Sequence, residues 1–534
     1  MQVGVTRGSG HSLLRRDDCG RVRWLVHDRV FRMCGGEVHN SSGSSLPYLA
    51  TAIERARLLG VNALIIPLSW ELVEPQEGEF DWTLVDGILE LMRQADLKWI
   101  PQWFGAVKNT NAAYAPAWVK LDGQRFPRVR DACGRATNML SVVSPALLIA
   151  NCTAVGKAMA RLAQRDHAGT VIAFQPENEV GLLGQTRDYS AAAVTAFAQE
   201  IPPEIGALLQ GEGAATLRPE VREPWIAAGK RCAGIWPEVF GAAADEVFMA
   251  WSYGRFVGQL AAVAVAAYHV PVLANAWIVQ HAHERAGQYP SGGPIAGMID
   301  VWRAAAPAID IYACDIYLDD FAGVCADYHQ RGNSLLIPEA RRDERMAVKC
   351  WYAFGQHDCL GFAPFGIESV GLGSAPPIDG AVALGTATYE SSAVGAALLA
   401  KTYRLLGAML PAIEPWLGSV RAVGILQRSA QPQYIELGGY RFIVEWLLPH
   451  DPMNPGCGGL MVSPRDGEFI VAGMNLRIAI HTLTGAGTAD FLSLDEGDYH
   501  AGQWLAGRRL NGDEAWLRLG GEPGVRHCHL YSYS

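Results

Sequence analysis

Short runs of β-branched and aliphatic residues alternate with stretches of helical periodicity along roughly the first three quarters of the chain. RVRWLV, a turn at His27-Asp28-Arg29 and VFRMCGG predict a hairpin leading into a first strand. LPYLATAIERARLLG then spaces its apolar residues for a helix, and VNALIIPLSW reads as a second strand. FDWTLVDGILELMRQAD follows as a helix and LKWIPQWFG as a third strand. After a loop rich in Asn, Tyr and Trp, residues 144–166 predict a helix and TVIAFQPENE a fourth strand. A long excursion over 211–245 precedes a buried helix at 257–268 and the fifth strand, PVLANAW. IDIYACDIY, SLLIPEA and GFAPFG supply the sixth, seventh and eighth strands, and an Ala-rich stretch over about 386–410 the last helix. Strands that alternate with helices in this way pair in parallel, and eight of them predict an α/β fold, a (β/α)8 TIM barrel.

From about Trp416 the period changes. VRAVGILQ, QYIELGGYRFIVEWLL, EFIVAGMNLRIAIHTL and EAWLRLGG cluster β-formers between Gly, Asn and Pro turns. An all-β, sandwich-like accessory domain is expected there, packed on the barrel without a low-complexity linker. The expected division is an N-terminal hairpin segment at 1–30, a catalytic barrel at 31–415 and the β domain at 416–534.

Composition narrows the classes of function. Half of the 534 residues are apolar and only 18% are charged, which suits a large compact enzyme and is compatible with a homo-oligomer. Lys and Arg total 44 against 54 Asp and Glu, a net charge of −10, with no basic run to attract nucleic acid or an anionic membrane. No acidic or basic residue falls between Arg255 and Glu284, but Gln259, His269, Pro271 and Asn275 make this a buried helix and strand rather than a membrane span. Eleven cysteines, an odd number without a CxxC pair, read as free thiols in a reducing cytoplasm. The N-terminal residues show no apolar core of signal-peptide length.

In a barrel of this type the chemistry belongs at the carboxyl ends of the strands. Those ends carry Glu37, His39 and Asn40 in the first strand, Trp70 after the second and Trp103 in the third. Asn178 and Glu179 end the fourth, Trp277 the fifth, Tyr317 the sixth and Glu339 the seventh. Two rigidly held acids among aromatic rings and amides suit a sugar, whose C–H face stacks on rings and whose hydroxyls bond amides. Paired carboxylates without metal ligands are the requirement of glycoside hydrolysis. The 160 residues between Glu179 and Glu339 are no obstacle, because the fourth and seventh strands stand across the ring from each other. Glu177 alternates with Glu179, and strand periodicity places both on one face without choosing between them. Arg341 and Arg342 are candidate partners of Glu339, and Asp315 competes with Tyr317 in the same turn. His281-Ala282-His283 and His527-Cys528-His529 lack the further ligands of a zinc site, so neither metal nor cofactor is expected. No phosphate-binding glycine loop or GxSxG elbow occurs.

The segment Gln175-Pro176-Glu177-Asn178-Glu179-Val180-Gly181 resembles the QxENExG motif of β-galactosidases of glycoside hydrolase family 35. Residues 70–82, WELVEPQEGEFDW, are similar to the WxxxEPxxGxFDW signature shared by families 35 and 42, and LLIPE at 335–339 to their strand-seven nucleophile segment. GGEVHNSS and WFGAVKNTNAAYAPAWVKLDGQRFPRV resemble a bacterial subgroup with a β-rich C-terminal domain. Pro176 and Val180 depart from the commoner residues, and the first-strand GSxHYxR pattern is absent. The resemblance implies that Glu179 is the acid/base, Glu339 the nucleophile and Asn178 a sugar contact. It implies a retaining exo-β-glycosidase, a β-galactosidase acting on oligosaccharides, with a β-glucosidase, β-mannosidase, arabinosidase or silent carbohydrate-binding protein as alternatives.

Overall fold

A computed structural model of the chain describes residues 10–372, 391–485 and 487–534. Eight parallel strands form the central sheet: β1 (Met33–Glu37), β2 (Ala63–Ser69), β3 (Lys98–Lys108), β4 (Gln175–Asn178), β5 (Leu273–Trp277), β6 (Ile311–Ile316), β7 (Ile337–Ala340) and β8 (Gly361–Pro364). Hydrogen bonds run in sequence from β5 through β8 to β1 and on to β4. A parallel bridge from Phe174 to Val272 joins β4 back to β5 and closes the ring. The surrounding helices are α1 (Leu46–Leu58), α2 (Thr83–Gln94), α3 (Pro145–Arg165), α4 (Ala244–Ala267), α5 (Ile299–Ala305), α6 (Phe321–Tyr328), α7 (Met346–His357) and α8 (Ala393–Ile413). The fold is a (β/α)8 barrel. Residues 386–390, where the last helix was expected to begin, lie outside the described residues.

The strands are buried on both faces, so each divides its apolar residues between two cores. Ile65, Ile100, Ile172, Leu273, Ile311 and Leu336 fill the interior. Leu64, Ile66, Trp99 and Trp103 point outward into the layer shared with the helices. Trp24 and Val26 of the N-terminal hairpin join the interior cluster and plug the bottom of the barrel. The hairpin has one strand more than the sequence suggests: Ser12–Arg16 pairs with Val22–Val26, which turns back through His27 and Asp28 onto Arg29–Val30. Both turn residues have left-handed backbone, as a tight two-residue hairpin requires. The excursion after β4 starts before residue 211, with short helices from Ala191–Phe197 to Trp236–Phe240. Helices α3 and α8 have the length and apolarity of membrane spans, but their buried residues pack into the barrel's outer core.

Below the barrel, Arg32 bonds Asp358 at 2.5 Å and Glu414 at 2.7 Å, and Arg23 reaches the same two acids at 2.9 and 3.0 Å. This network ties the hairpin to the end of α8. The Arg32 side chain is 2% exposed, so its charge has no water to fall back on. Asp358→Ala is therefore expected to lower stability by about 3–5 kcal/mol, read by chemical denaturation. A loss below about 1 kcal/mol, the size of a surface pair, would show that the network is not a determinant of the fold.

The C-terminal strands form a six-stranded sheet and a four-stranded sheet. Ile425, Met461, Phe469 and Cys528 of the larger sheet meet Ile435, Phe442, Leu476 and Leu519 of the smaller in one core, the arrangement of a β-sandwich. Helix α7 lies against the larger sheet, where the Gly424 N–H donates to Gln356 Oε1 at 3.1 Å.

Candidate active site

The carboxyl end of the barrel gathers buried acids from four strands. Glu37 ends β1, Glu179 follows β4, Asp315 lies in β6 and Glu339 in β7, each 5% exposed or less. Carboxylate oxygens of Glu179, Asp315 and Glu339 all lie within 4.8 Å of one another. Residue register explains the convergence: Asp315 pairs with Glu339 on one side and with Trp277 on the other.

Amides hold the acids in place. Asn178 Oδ1 accepts from Gln102 Nε2 at 2.7 Å, Asn275 Nδ2 at 2.9 Å and Gln175 Nε2 at 3.1 Å. Its Nδ2 donates to Asn109 Oδ1 at 3.1 Å. Gln102 Nε2 also reaches Glu37 Oε1 at 3.2 Å, while Glu37 Oε2 is buried without a partner among the described residues. Asn275 Nδ2 donates to Asp315 Oδ2 at 2.7 Å, and Asn275 Oδ1 accepts the Glu179 backbone N–H at 3.1 Å. The Tyr317 hydroxyl donates to Glu339 Oε2 at 2.9 Å, while Asp315 Oδ2 accepts from Asn275, so Tyr317 and Asp315 do not compete for Glu339. Arg341 instead pairs with Asp319, and Arg342 donates to the Phe365 carbonyl at 3.2 Å.

Glu177 and Glu179 do not face the same way, contrary to the strand periodicity. Both have positive φ, 62° and 46°, which breaks the two-residue repeat. The Glu177 carboxylate turns to β3, accepting backbone N–H groups of Gly105, Ala106 and Val107 at 3.3, 3.0 and 2.8 Å and Asn151 Nδ2 at 2.5 Å. A β-carbon at position 105 would stand 2.7 Å from Glu177 Oε1, so glycine is what lets the carboxylate reach these amides. The register of β3 against β4 shifts over this stretch and brings Lys108 opposite Asn178.

Lys108 is 5% exposed, with its ammonium 4.8 Å from the centre of the Phe104 ring. It is a cation on the charge balance of the site. Burial raises the Glu179 carboxyl to about 7, the charge of Glu339 adds to this, and Lys108 opposes it. Burial also raises Glu339, against the pull of Lys108 and the Tyr317 hydroxyl. Asp315 is pushed well above the carboxylate range by burial and then by the charges of Glu339, Glu179 and Glu37, and Glu37 by burial and then by Glu339. Four acids beside one ammonium cannot all ionise. The donors aimed at Glu339 keep it the anion, and protons stay on its neighbours. The three clustered oxygens could also hold a hard cation, the one such group among the described residues. His281 and His283 are exposed in a loop, and His527 stacks on Trp504 at 3.9 Å with the Tyr499 hydroxyl bound at 2.7 Å.

The remaining expected contacts divide. Trp277 is half-buried at the end of β5 beside Asp315. His39 stands on the rim between β1 and β8, its Nε2 2.9 Å from Ser369 Oγ and its ring edge-on to Phe365. Asn40 Oδ1 is buried with no hydrogen-bond partner among the described residues. Trp70 and Trp103 do not border the mouth. Both rings are fully buried in the outer layer, and their N–H groups are spent on Glu74 at 2.8 Å and Asn151 at 2.9 Å. Alternation along β3 turns Trp103 outward and gives the interior to Gln102 and Phe104. Sequence reasoning missed Gln102, Lys108 and Asn275 altogether. Their signal was a lone polar residue in an otherwise apolar barrel strand, where burial without a partner is costly.

Residues 48–205 match the family model described as beta-galactosidase, glycoside hydrolase family 42. This part of the barrel is similar to family 42. Residues 399–519 match a domain of unknown function, DUF5597. A beta-galactosidase of Xanthomonas manihotis is 28% identical over 180 residues, 32% of this chain and 27% of that protein. The chain thus spans about a quarter of the length of the curated relative it matches. The beta-galactosidase structure of the psychrophilic Marinomonas ef1 superposes with a TM-score of 0.47 at 14% identity, over 71% of this chain and 60% of that one. The catalytic domain of a β-amylase from Paenibacillus polymyxa gives 0.46 at 13%, over 63% and 92%.

Proposed function

We propose that this protein is a retaining exo-β-glycosidase, a β-galactosidase that acts on terminal galactosyl residues of short oligosaccharides. The observation that carries the reading is the approach of the Glu179 and Glu339 carboxylates, oxygens within 4.8 Å, from strands on opposite sides of the barrel mouth. Retaining enzymes need such a short separation, about 5–5.5 Å between carboxyl groups, because the second acid attacks the sugar directly. Inverting enzymes hold theirs about 6.5–9.5 Å apart to admit a water. The family 42 match and the family 35-like QPENE segment support galactose as the sugar. Eleven cysteines without a disulfide agree with a cytoplasmic setting.

In this reading Glu179, protonated by burial beside the Glu339 charge, gives its proton to the glycosidic oxygen as Glu339 attacks the anomeric carbon. Glu179 then takes a proton from the water that releases the sugar. Asn178 keeps one Nδ2 hydrogen for the 2-hydroxyl, its other being held by Asn109. A panel of nitrophenyl β-glycosides tests the proposal: the galactoside should be cleaved fastest, with retention of configuration. Faster cleavage of the glucoside, mannoside or arabinoside would correct the sugar, and no cleavage at all would leave a binding protein.

The pH profile carries a sign. Glu179 must be protonated for the first step, so kcat/KM should fall as pH rises through about 7. On the acid side the rate falls as Glu339 protonates, at a pH above the ordinary glutamate range. Lys108 lowers both groups, so Lys108→Met should move both limbs to higher pH. Unmoved limbs would remove Lys108 from the electrostatics of the site.

A further inference from the structure

In the C-terminal domain a groove of about 630 Å3 opens beside the short edge strand Arg518–Leu519. Its volume lies in the range of small-ligand sites. Four arginines line it, Arg477, Arg508, Arg518 and Arg526, against three acids, Glu496, Asp513 and Glu514. The lining thus carries a net charge of +1 on a chain whose net charge is −10. Arg477 and Arg518 sit directly opposite each other on adjacent strands, a like-charge pair that destabilises a sheet unless an anion lies between.

The acids do not satisfy these cations. Glu496 is shared between Arg508 at 2.6 Å and Arg526 at 3.3 Å, and Glu514 reaches Arg508 at 3.3 Å. Among the described residues Arg526 Nε is buried with no hydrogen-bond partner, and the Arg518 guanidinium has none. Arg477 meets Glu445 only at 3.7 Å. Its guanidinium lies 4.8 Å from the centre of the Trp516 ring, which is 55% exposed. The exposed indole, with Arg477 against it, presents a flat ring at the groove wall.

We infer that this groove binds an anionic saccharide, a short glycan segment carrying carboxylate groups, and that the β domain thereby holds oligosaccharide substrate on the protein. An indole offers a flat face to the C–H side of a sugar ring, and guanidinium groups pair with carboxylates in two parallel hydrogen bonds. The choice of a saccharide over another anion rests on the glycosidase reading of the barrel. The groove itself is independent of Glu179 and Glu339.

Calorimetric titration of the full chain with trigalacturonate tests the inference, with its methyl ester and inorganic sulfate as controls. Trigalacturonate should bind, the uncharged ester at least about tenfold more weakly, and sulfate should not compete at equal concentration. Trp516→Ala and Arg518→Gln, both at exposed positions, should each weaken binding at least about fivefold and leave nitrophenyl galactoside hydrolysis unchanged. Glu339→Gln should bind trigalacturonate as the parent does, which separates the groove from the active site. No binding at millimolar trigalacturonate, binding indifferent to both groove variants, or equal competition by sulfate would each overturn it. Absence of glycosidase activity with binding intact would instead overturn the proposed function alone.

Discussion

Glu339→Gln is expected to lower turnover of an activated aryl β-galactoside by about 10⁴-fold or more, an increase of about 5.5 kcal/mol in the barrier. The amide keeps the shape and can still hydrogen-bond the Tyr317 hydroxyl, but it has no charge with which to attack the anomeric carbon. KM should change little, because the group is used in the transition state more than in binding. Stability should move the other way. Glu339 raises the carboxyls of Glu37, Glu179 and Asp315 by its charge, so neutralising it relieves repulsion among buried acids. The variant should melt no lower than the parent, and the fall in rate then cannot be ascribed to unfolding. Retention of more than about a tenth of parental turnover would remove Glu339 from the nucleophile role.

Azide should rescue two alanine variants with opposite stereochemistry. In Glu179→Ala, a substrate whose leaving group needs little protonation still loads Glu339, and the glycosyl-enzyme stalls for want of a base. Azide needs no base, so it should restore turnover and yield the β-glycosyl azide after two inversions. In Glu339→Ala no glycosyl-enzyme forms, and azide attacking the β-glycoside directly should give the α-azide by one inversion. NMR of the products reads the outcome. Exchanged anomers would mean that acid/base and nucleophile have been reversed. Glu177→Ala should lose activity without azide rescue, because its carboxylate clamps the Gly105–Val107 backbone that carries Lys108 to the mouth. Rescue of Glu177→Ala would make Glu177 the acid/base.

The role of Glu179 also depends on Asp315. Asn275 occupies one Asp315 oxygen at 2.7 Å, and Asp315 Oδ1 is buried with no partner among the described residues. Burial and the charge of Glu339 raise the carboxyls of both Glu179 and Asp315, so both neighbours of the Glu339 anion hold protons. The sequence reading pairs the two acids that end strands four and seven. The third comes into the cluster through its register with Glu339.

By itself the sequence determined the barrel and the β-sandwich, because period and residue type are local properties of the chain. It also placed Glu179 and Glu339 at strand ends, since an acid closing an apolar run marks where the run leaves the core. Which way a side chain turns was decided by the tertiary structure. Barrel strands are apolar on both faces, so QWFG does not reveal that Gln102 points to the mouth and Trp103 to the helices. The left-handed backbone at Glu177 and Glu179 is equally invisible in QPENE, because the Glu177 carboxylate is held by amides of β3 some 70 residues away and the Glu179 N–H by Asn275, 96 residues on. Lys108 follows from the same clamp. Its position beside three acids is set by a register shift between strands, a contact between distant segments that no local pattern encodes.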